Sequence, residues 1–164
     1  MEVRGIHLSN NTPVRPPFGF LPPIPPATSA QGGHPAHDIR FLELLSAYRA
    51  TGGLAVGAEI AARRPDTGLS DLARSIAARA LISFSWSGQI WLPVFQFEPG
   101  DVVVRAPVRA VVDELTVALN DWEIADWFIQ RNPWLNGAAP IQLVYLDVAR
   151  LLDAARALRF ACCS

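Results

Sequence analysis

The apolar side chains from residue 38 onward recur at helical spacing in three consecutive segments. The first segment begins at Asp38, a residue suited to an N-cap, and ends at Thr51-Gly52-Gly53. A second, shorter helix is predicted over 56–63, where Pro65 stops it, and a third is predicted from about Ser70. The apolar positions that predict the first and third helices are Phe41, Leu44, Leu45, Tyr48, Leu72, Ile76 and Ala80.

The pattern changes between residues 80 and 97, where aromatic and branched side chains replace the helical spacing. Two such runs, 81–86 and 90–97, flank Ser87-Gly88-Gln89, a sequence typical of a turn. We therefore predict a β-hairpin in this part of the chain. Because Pro93 has no N–H to donate to a ladder, it is expected to place the second strand at a sheet edge or at a bulge.

Helical spacing returns after residue 100. A helix is predicted from Arg105 or Ala106, and Asn120 or Asp121 is expected to cap the helix that follows it. The apolar faces of these two helices consist of Val108, Val111, Val112, Leu115, Leu119, Ile124, Trp127 and Phe128.

The chain is predicted to close with two further helices. Asn132-Pro133 ends the preceding helix, Pro140 suits the first position of a short one, and the last helix is predicted from about Asp147. The fold class that follows is α+β and mainly α-helical, a helical bundle with one β-hairpin. The N-terminal part of the folded region, three helices followed by the hairpin, has the element order of a winged helix. The predicted organisation is a proline-rich arm over 1–37, three helices plus the hairpin over 38–98, and a helical domain over 99–164.

Amino-acid composition predicts a proline-rich N-terminal arm and a globular protein without a membrane span. Residues 1–37 contain eight of the 14 prolines, which fix φ and remove hydrogen-bond donors, so an extended arm or linker is predicted. Hydrophobic residues make up 51% of the chain and charged residues 18%, which is enough for one globular core. Polar residues interrupt the richest apolar stretch, 77–97, so no membrane span is expected. Residues 1–7 lack the features of a secretory signal, which predicts a cytoplasmic location.

Charge bears on nucleic-acid binding. All 14 basic residues are arginines and the formal net charge is −1, so the one-sided basic surface of a strong nucleic-acid binder is not expected. A winged-helix DNA-binding transcription regulator is the alternative hypothesis, with 70–79 as recognition helix and Arg74 and Arg79 as its DNA contacts. That helix is rich in alanine and the hairpin tip carries no positive charge, which favours a structural role.

The sequence offers little for catalysis. All three histidines, His7, His34 and His37, lie in the arm, so serine–histidine and cysteine–histidine chemistry are not expected. A zinc site built from His34, His37 and the adjacent Cys162-Cys163 would lack the usual ligand spacing. The acidic residues suit either acid–base chemistry or helix capping, and capping is favoured because helix N-termini stabilise negative charge: Asp113, Glu114, Asp121, Glu123 and Asp126. The chain is predicted not to be an enzyme and to hold no cofactor or metal.

The most specific motif spans residues 122–143 and reads Trp122-x-x-Ala-x-Trp127-Phe128-x-x-x-Asn132-Pro133-Trp134-Leu135-x-Gly137-x-x-Pro140-x-x-Leu143. It resembles the C-terminal toxin-binding domain of the Xre/MbcA/ParS antitoxins, which carries a tryptophan-containing helix, an Asn-Pro-x-Leu-x-Gly loop, a Pro-x-x-Leu turn and a final helix. The stretch Trp91-Leu-Pro-Val-Phe-Gln-Phe-Glu98 is similar to a segment that precedes this domain in many relatives. The resemblance covers about residues 90–158.

The resemblance implies a non-catalytic role in which this domain binds and neutralises a RES-type toxin that consumes NAD. It also implies that dimers form, and that the end of the chain reaches toward the toxin's pocket. The residues expected to contact the partner are Trp127, Asn132, Trp134, Leu135, Gly137, Arg156, Arg159 and Phe160. Trp134 and Leu135 are the expected anchors if they are exposed; if they are buried, they belong to the core.

Overall fold

The computed structural model describes residues 35–162, and the predictions for the proline-rich arm up to residue 34 lie outside them. These residues form an α+β fold that is mainly helical, as predicted. The helices are α1 Pro35–Tyr48, α2 Gly57–Ala61, α3 Gly68–Ala77, α4 Ala106–Leu115, α5 Asp121–Ile129, α6 Pro140–Leu143 and α7 Val148–Cys162. The strands are β1 Leu54–Val56, β2 Phe84–Trp86 and β3 Gln89–Pro93, and short 3-10 helices cover Arg49–Thr51, Val94–Gln96 and Pro133–Leu135.

The predicted β-hairpin is confirmed, with shorter strands than expected. β2 and β3 pair antiparallel with Phe84 opposite Trp91, and Ser87 and Gly88 form the turn with φ values of 50° and 74°. Two consecutive residues in the left-handed region are typical of the type I′ hairpin turn, whose twist matches that of the strands.

The sheet has a third strand that the sequence pattern did not predict. β1 pairs antiparallel with β3, and Leu54 lies opposite Pro93, so the strand order is β1-β3-β2. The placement of β3 at an edge or a bulge was therefore wrong, because β3 is the central strand. Pro93 is tolerated there because it is the last residue of β3, immediately before the 3-10 helix that leaves the sheet.

The main core is shared by elements from both predicted parts of the folded region. The apolar stripe of α4 is buried as predicted, and α7 packs along it with its small residues Ala154 and Ala155 fully buried. Phe41 and Leu44 of α1 and Phe84 of β2 belong to the same cluster. The predicted boundary at 98/99 thus runs through one continuous core.

A smaller apolar cluster lies between α2, α3 and the sheet, with Ile60, Leu72 and Leu92 at its centre. Helices α2 and α3 approach each other so closely here that a Cβ atom on Gly68 would overlap the carbonyl oxygen of Ala61. Glycine at this position permits the close approach. The third helix ends at Ala77, so Ala80, predicted on its apolar face, is instead buried in the segment between α3 and β2.

Helix capping follows the sequence at one predicted position and departs from it at another. Asn120 caps α5, since its Oδ1 accepts a hydrogen bond from the Glu123 N–H at 3.0 Å while the Glu123 carboxylate accepts from the Asn120 N–H at 2.7 Å. The prediction that Asp38 is an N-cap was wrong, because α1 begins at Pro35. The Asp38 carboxylate instead accepts a hydrogen bond from the indole Nε1 of Trp86 at 2.9 Å.

Candidate protein-binding site

The loop between α5 and α6 is organised by Asn132. Its Oδ1 accepts a hydrogen bond from the Trp134 N–H at 2.9 Å, and its carbonyl accepts from the N–H groups of Leu135 and Gly137, each at 3.0 Å. Its own N–H donates to the carbonyl of Ala138 at 3.1 Å. Asn132 is buried, and its hydrogen bonds tie the backbone of residues 132–138 together.

The loop reverses direction at two consecutive residues in the left-handed region. Asn136 has φ 56° and Gly137 has φ 79°, values that asparagine and glycine tolerate best. A Cβ atom on Gly137 would meet nothing within 4 Å, so backbone conformation rather than space favours glycine here. Gly137 therefore shapes the loop.

The two anchors expected from the motif differ completely in exposure. Leu135 is 1% exposed and belongs to the main core, so a partner cannot contact it without rearranging the protein. The expectation that Leu135 is a contact is corrected accordingly. Trp134 is 65% exposed although its backbone is fixed by Asn132. A large apolar side chain presented on a rigid loop is the kind of residue that dominates protein interfaces.

A shallow depression of about 210 Å³ lies beside Trp134. It brings three of the predicted contact residues together with the last helix, and its lining consists of Trp127, Gln130, Arg131, Asn132, Pro133, Trp134 and Leu158. Trp127 is half-buried, with its ring set edge-on against Phe128 at a centroid distance of 5.2 Å. The surface therefore combines a protruding indole with a partly apolar hollow.

Arg131 and Leu158 line this depression and were not predicted as contacts. Arg131 is exposed and forms no ion pair within residues 35–162, so its charge is available to an acidic group on a partner. The signal for Leu158 was its spacing in the last helix, four and seven residues beyond Ala154 and Leu151, both of which are buried. That spacing places Leu158 on the side of α7 that faces the rest of the protein.

The predicted contacts at the end of α7 are held by another helix. Arg156 Nε donates to the Glu114 carboxylate at 3.1 Å, and Arg159 pairs with the same carboxylate. Two guanidinium groups thus converge on one acid of α4, which fixes α7 rather than leaving both charges available. Phe160 is largely exposed, two residues beyond Leu158, and does not line the depression.

The two arginines of the DNA-binding alternative are engaged within the protein. Arg79 donates to the carbonyls of Thr116 and Leu119 at 3.0 and 2.8 Å and pairs with Asp121 at 3.0 Å, so it closes the turn between α4 and α5. Arg74, which is highly exposed, pairs with Asp71 of its own helix at 3.2 Å.

The surface beside the proposed recognition helix is apolar. A groove of about 540 Å³ between α2, α3 and β3 is lined mostly by aliphatic side chains such as Leu69 and Ile90. Arg74 is the one basic side chain within α3 and it pairs with Asp71, so this surface offers little positive charge for phosphate contacts. These observations count against the DNA-binding alternative.

The acidic residues considered for catalysis all have structural partners. Asp113 pairs with Arg109, Asp126 pairs with Arg40 across α1 and α5, and the partners of Glu114, Asp121 and Glu123 are given above. Within residues 35–162 there is no group of three histidine, cysteine or acidic side chains that could hold a metal ion. His37 stacks on Trp122 at 5.4 Å, Cys162 is exposed, and His34 and Cys163 lie outside the described residues.

Compared with known proteins, the chain matches no family model, no curated protein and no solved structure. Among residues 35–162 there is no helix with the length and apolar character that crossing a membrane requires.

Proposed function

We propose that this protein is a non-enzymatic, antitoxin-like binding protein that neutralises a RES-type, NAD-consuming toxin through its C-terminal helical part. The observation that carries the proposal is the exposure of Trp134 on a loop fixed by the buried Asn132. The class of partner comes from the resemblance of residues 90–158 to the Xre/MbcA/ParS antitoxins.

The fixed loop backbone lowers the entropic cost of binding a partner. A partner that binds a mobile side chain loses affinity because that side chain must be ordered, at about 0.5–1.5 kcal/mol for each one immobilised. The hydrogen bonds from Trp134 N–H, Leu135 N–H and Gly137 N–H to Asn132 order the backbone beforehand. Binding at the exposed indole then carries no further cost for ordering the loop backbone, although the indole itself must still be ordered.

The depression beside Trp134 determines the chemistry of the partner surface. The partner would place an apolar side chain between Trp134 and Leu158 and an acidic group near Arg131. Phe160, farther along α7, would then cover the toxin's NAD pocket, as the resemblance implies for the end of the chain. Neutralisation in this arrangement is steric and needs no catalytic group on the antitoxin.

The test is affinity purification of the tagged full chain from its own cells, with the wild type, Trp134→Ala and Leu69→Ala compared. Leu69 is 73% exposed on α3 and serves as the matched control. We expect wild type and Leu69→Ala to recover a small RES-like protein, and Trp134→Ala to lose affinity about 30-fold or more. Point variants are preferred to truncation, because removing the end of α7 also removes the buried Ala154 and Ala155.

The recovered protein must also show the expected chemistry. After separation it should consume NAD, and addition of wild-type protein should stop this consumption while Trp134→Ala should do so only at much higher concentration. Absence of an NAD-consuming partner, or equal recovery by Trp134→Ala and wild type, would contradict the proposal.

A further inference from the structure

An open cleft of about 540 Å³ lies beside the 3-10 helix that follows β3, on a different set of residues from the depression beside Trp134. Its volume falls within the range of about 300–1,000 Å³ that small-molecule sites occupy. The side chains that decide its chemistry come from four separate segments of the chain and are Arg63, Phe95, Phe97, Glu98, Arg105 and Tyr145.

Arg105 is held in the wall of this cleft by the backbone and by an aromatic ring. Its Nε donates to the Phe97 carbonyl at 2.8 Å, and its guanidinium lies over the Tyr145 ring, 5.0 Å from the ring centre. The Tyr145 hydroxyl in turn donates to the Phe95 carbonyl at 2.7 Å, which fixes the ring. The two Nη groups of Arg105 form no hydrogen bond within residues 35–162, so they can donate to a ligand.

Arg63, two residues after α2, brings a second guanidinium to the cleft. It is half-buried and lies over the Phe97 ring, 5.8 Å from the ring centre, and its Nη1 donates to the Asp101 carbonyl at 3.3 Å. Within the described residues it pairs with no carboxylate, whereas the neighbouring Arg64 pairs with Asp71 and Asp101. Taking a guanidinium partly out of water without an anionic partner costs free energy, which an anionic ligand offsets.

The cleft carries an excess of positive charge. Two guanidinium groups face a single lining carboxylate, that of Glu98, whose side chain is half-exposed. Glu98 Oε2 lies 4.0 Å from Arg105 Nη1, at the outer limit of an ion pair, so it neutralises Arg105 only weakly. The chain as a whole has a net charge of −1, so this local excess is not a general property of the surface.

The loop that carries Glu98 and leads to Arg105 is closed by its own backbone hydrogen bonds. The Glu98 N–H donates to the Val103 carbonyl at 2.9 Å, and the Arg105 N–H donates to the Gln96 carbonyl at 2.8 Å. A ligand that binds Arg105 therefore does not have to order this loop, which lowers the entropic cost of binding.

We propose that this cleft binds a small phosphomonoester, with Arg63 and Arg105 holding the phosphate group. One guanidinium fork already occupies both oxygens of a carboxylate, whereas two forks on one group need the three terminal oxygens of a phosphate. At neutral pH a phosphomonoester is mostly a dianion, because its second pKa is about 6. The cleft has room for more than the phosphate, and Val94 and Pro99 provide an apolar lining for the organic part.

The test is isothermal titration calorimetry of the full chain with phenyl phosphate, with circular dichroism to verify that each variant folds. We expect one molecule to bind per chain, and Arg63→Ala and Arg105→Ala each to weaken binding about tenfold or more. The control is Arg109→Ala, which removes the same charge from α4 outside the cleft and should bind like the wild type. No binding to the wild type at millimolar phenyl phosphate, or equal weakening by Arg109→Ala, would overturn the proposal.

A variant of opposite sign tests the electrostatic argument without removing an arginine. Glu98→Gln keeps the size of the side chain and removes the one lining carboxylate, so it should tighten the binding of phenyl phosphate about threefold. Weaker binding by Glu98→Gln would contradict a site in which the two guanidinium groups hold the anion.

A comparison of ligands tests the chemical class. Benzoate has the same ring with a carboxylate and should bind about tenfold more weakly than phenyl phosphate, while inorganic phosphate should compete with phenyl phosphate. Benzoate binding as tightly as phenyl phosphate would exclude the assignment to a phosphate group. Trp134→Ala should leave all of these affinities unchanged because Trp134 lies outside the cleft, so failure of this proposal and failure of the proposed toxin binding are distinguishable.

Discussion

The side chain of Gln96 takes the place of a neighbouring strand, and its replacement by leucine should cost much of the protein's stability. Gln96 is fully buried at the end of the 3-10 helix that follows β3. Its Oε1 accepts from the Ile82 N–H at 2.7 Å and its Nε2 donates to the Ile82 carbonyl at 2.8 Å. Ile82 is 1% exposed and lies two residues before β2, so water does not reach these groups.

The magnitude follows from what the Gln96→Leu variant leaves behind. Leucine fills a similar volume, so the change creates little cavity, but one buried donor and one buried acceptor of Ile82 lose their partners. Each such group costs about 1–3 kcal/mol when it is unsatisfied. Burying leucine instead of an amide offsets part of this cost, so we expect a loss of about 2–4 kcal/mol in the free energy of unfolding.

The assay is urea unfolding followed by tryptophan fluorescence, with the midpoint and slope fitted together. The control is Gln142→Leu, which removes an exposed hydrogen bond of 3.2 Å from the Ala139 N–H and should cost less than about 1 kcal/mol. An unchanged slope would show that the denatured state is unaffected. A loss for Gln96→Leu no larger than that of the control would refute the reasoning, because Ile82 would then have found other partners.

Two further predictions concern α5 and the core tyrosine. Asn120→Ala removes the cap shared with Glu123 and should lower the free energy of unfolding by about 1 kcal/mol. The control is Asn136→Gly, at φ 56°, which should change the free energy of unfolding by less than about 0.5 kcal/mol. Equal losses for the two variants in thermal unfolding would contradict this prediction. Burial, followed by the charge of Asp126, raises the pKa of Tyr48 well above its ordinary value. The folded state therefore keeps this proton, and its contribution to stability is full below about pH 10 and is lost as the pH rises above that. Tyr48→Phe should lower the free energy of unfolding by about 1 kcal/mol at neutral pH. Urea titrations at high pH should show that the variant loses less stability than the wild type. An equal loss of stability at high pH in both proteins would exclude Tyr48 as its cause.

The accuracy of the sequence-based predictions depended on the length of the repeating pattern. The stripe of α4 repeats over several turns, and the helix begins at Ala106 as expected. β1 has three residues, Leu54–Val56, too few to show the alternation of a strand. Its existence moves β3 from the edge to the centre of the sheet. Only its pairing with β3 in three dimensions identifies it.

Long-range partners explain the polar residues whose roles were mispredicted or missed. Asp38 precedes an apolar run and looks like a helix cap. Its carboxylate instead accepts a hydrogen bond from Trp86, which is 48 residues away in the chain. Gln96 lies among apolar residues and is fully buried because Ile82 provides both of its partners. Side-chain contacts of this kind depend on the assembled fold, so no spacing rule in one sequence reveals them.

The candidate site was predicted in its residues but not in their exposure. The motif marks Trp134 and Leu135 equally, and helical spacing does not apply to a single 3-10 turn. The structure buries Leu135 and exposes Trp134 because the turn points consecutive side chains in different directions. Arg131 joins the site because it lies just after α5 ends at Ile129, next to the depression.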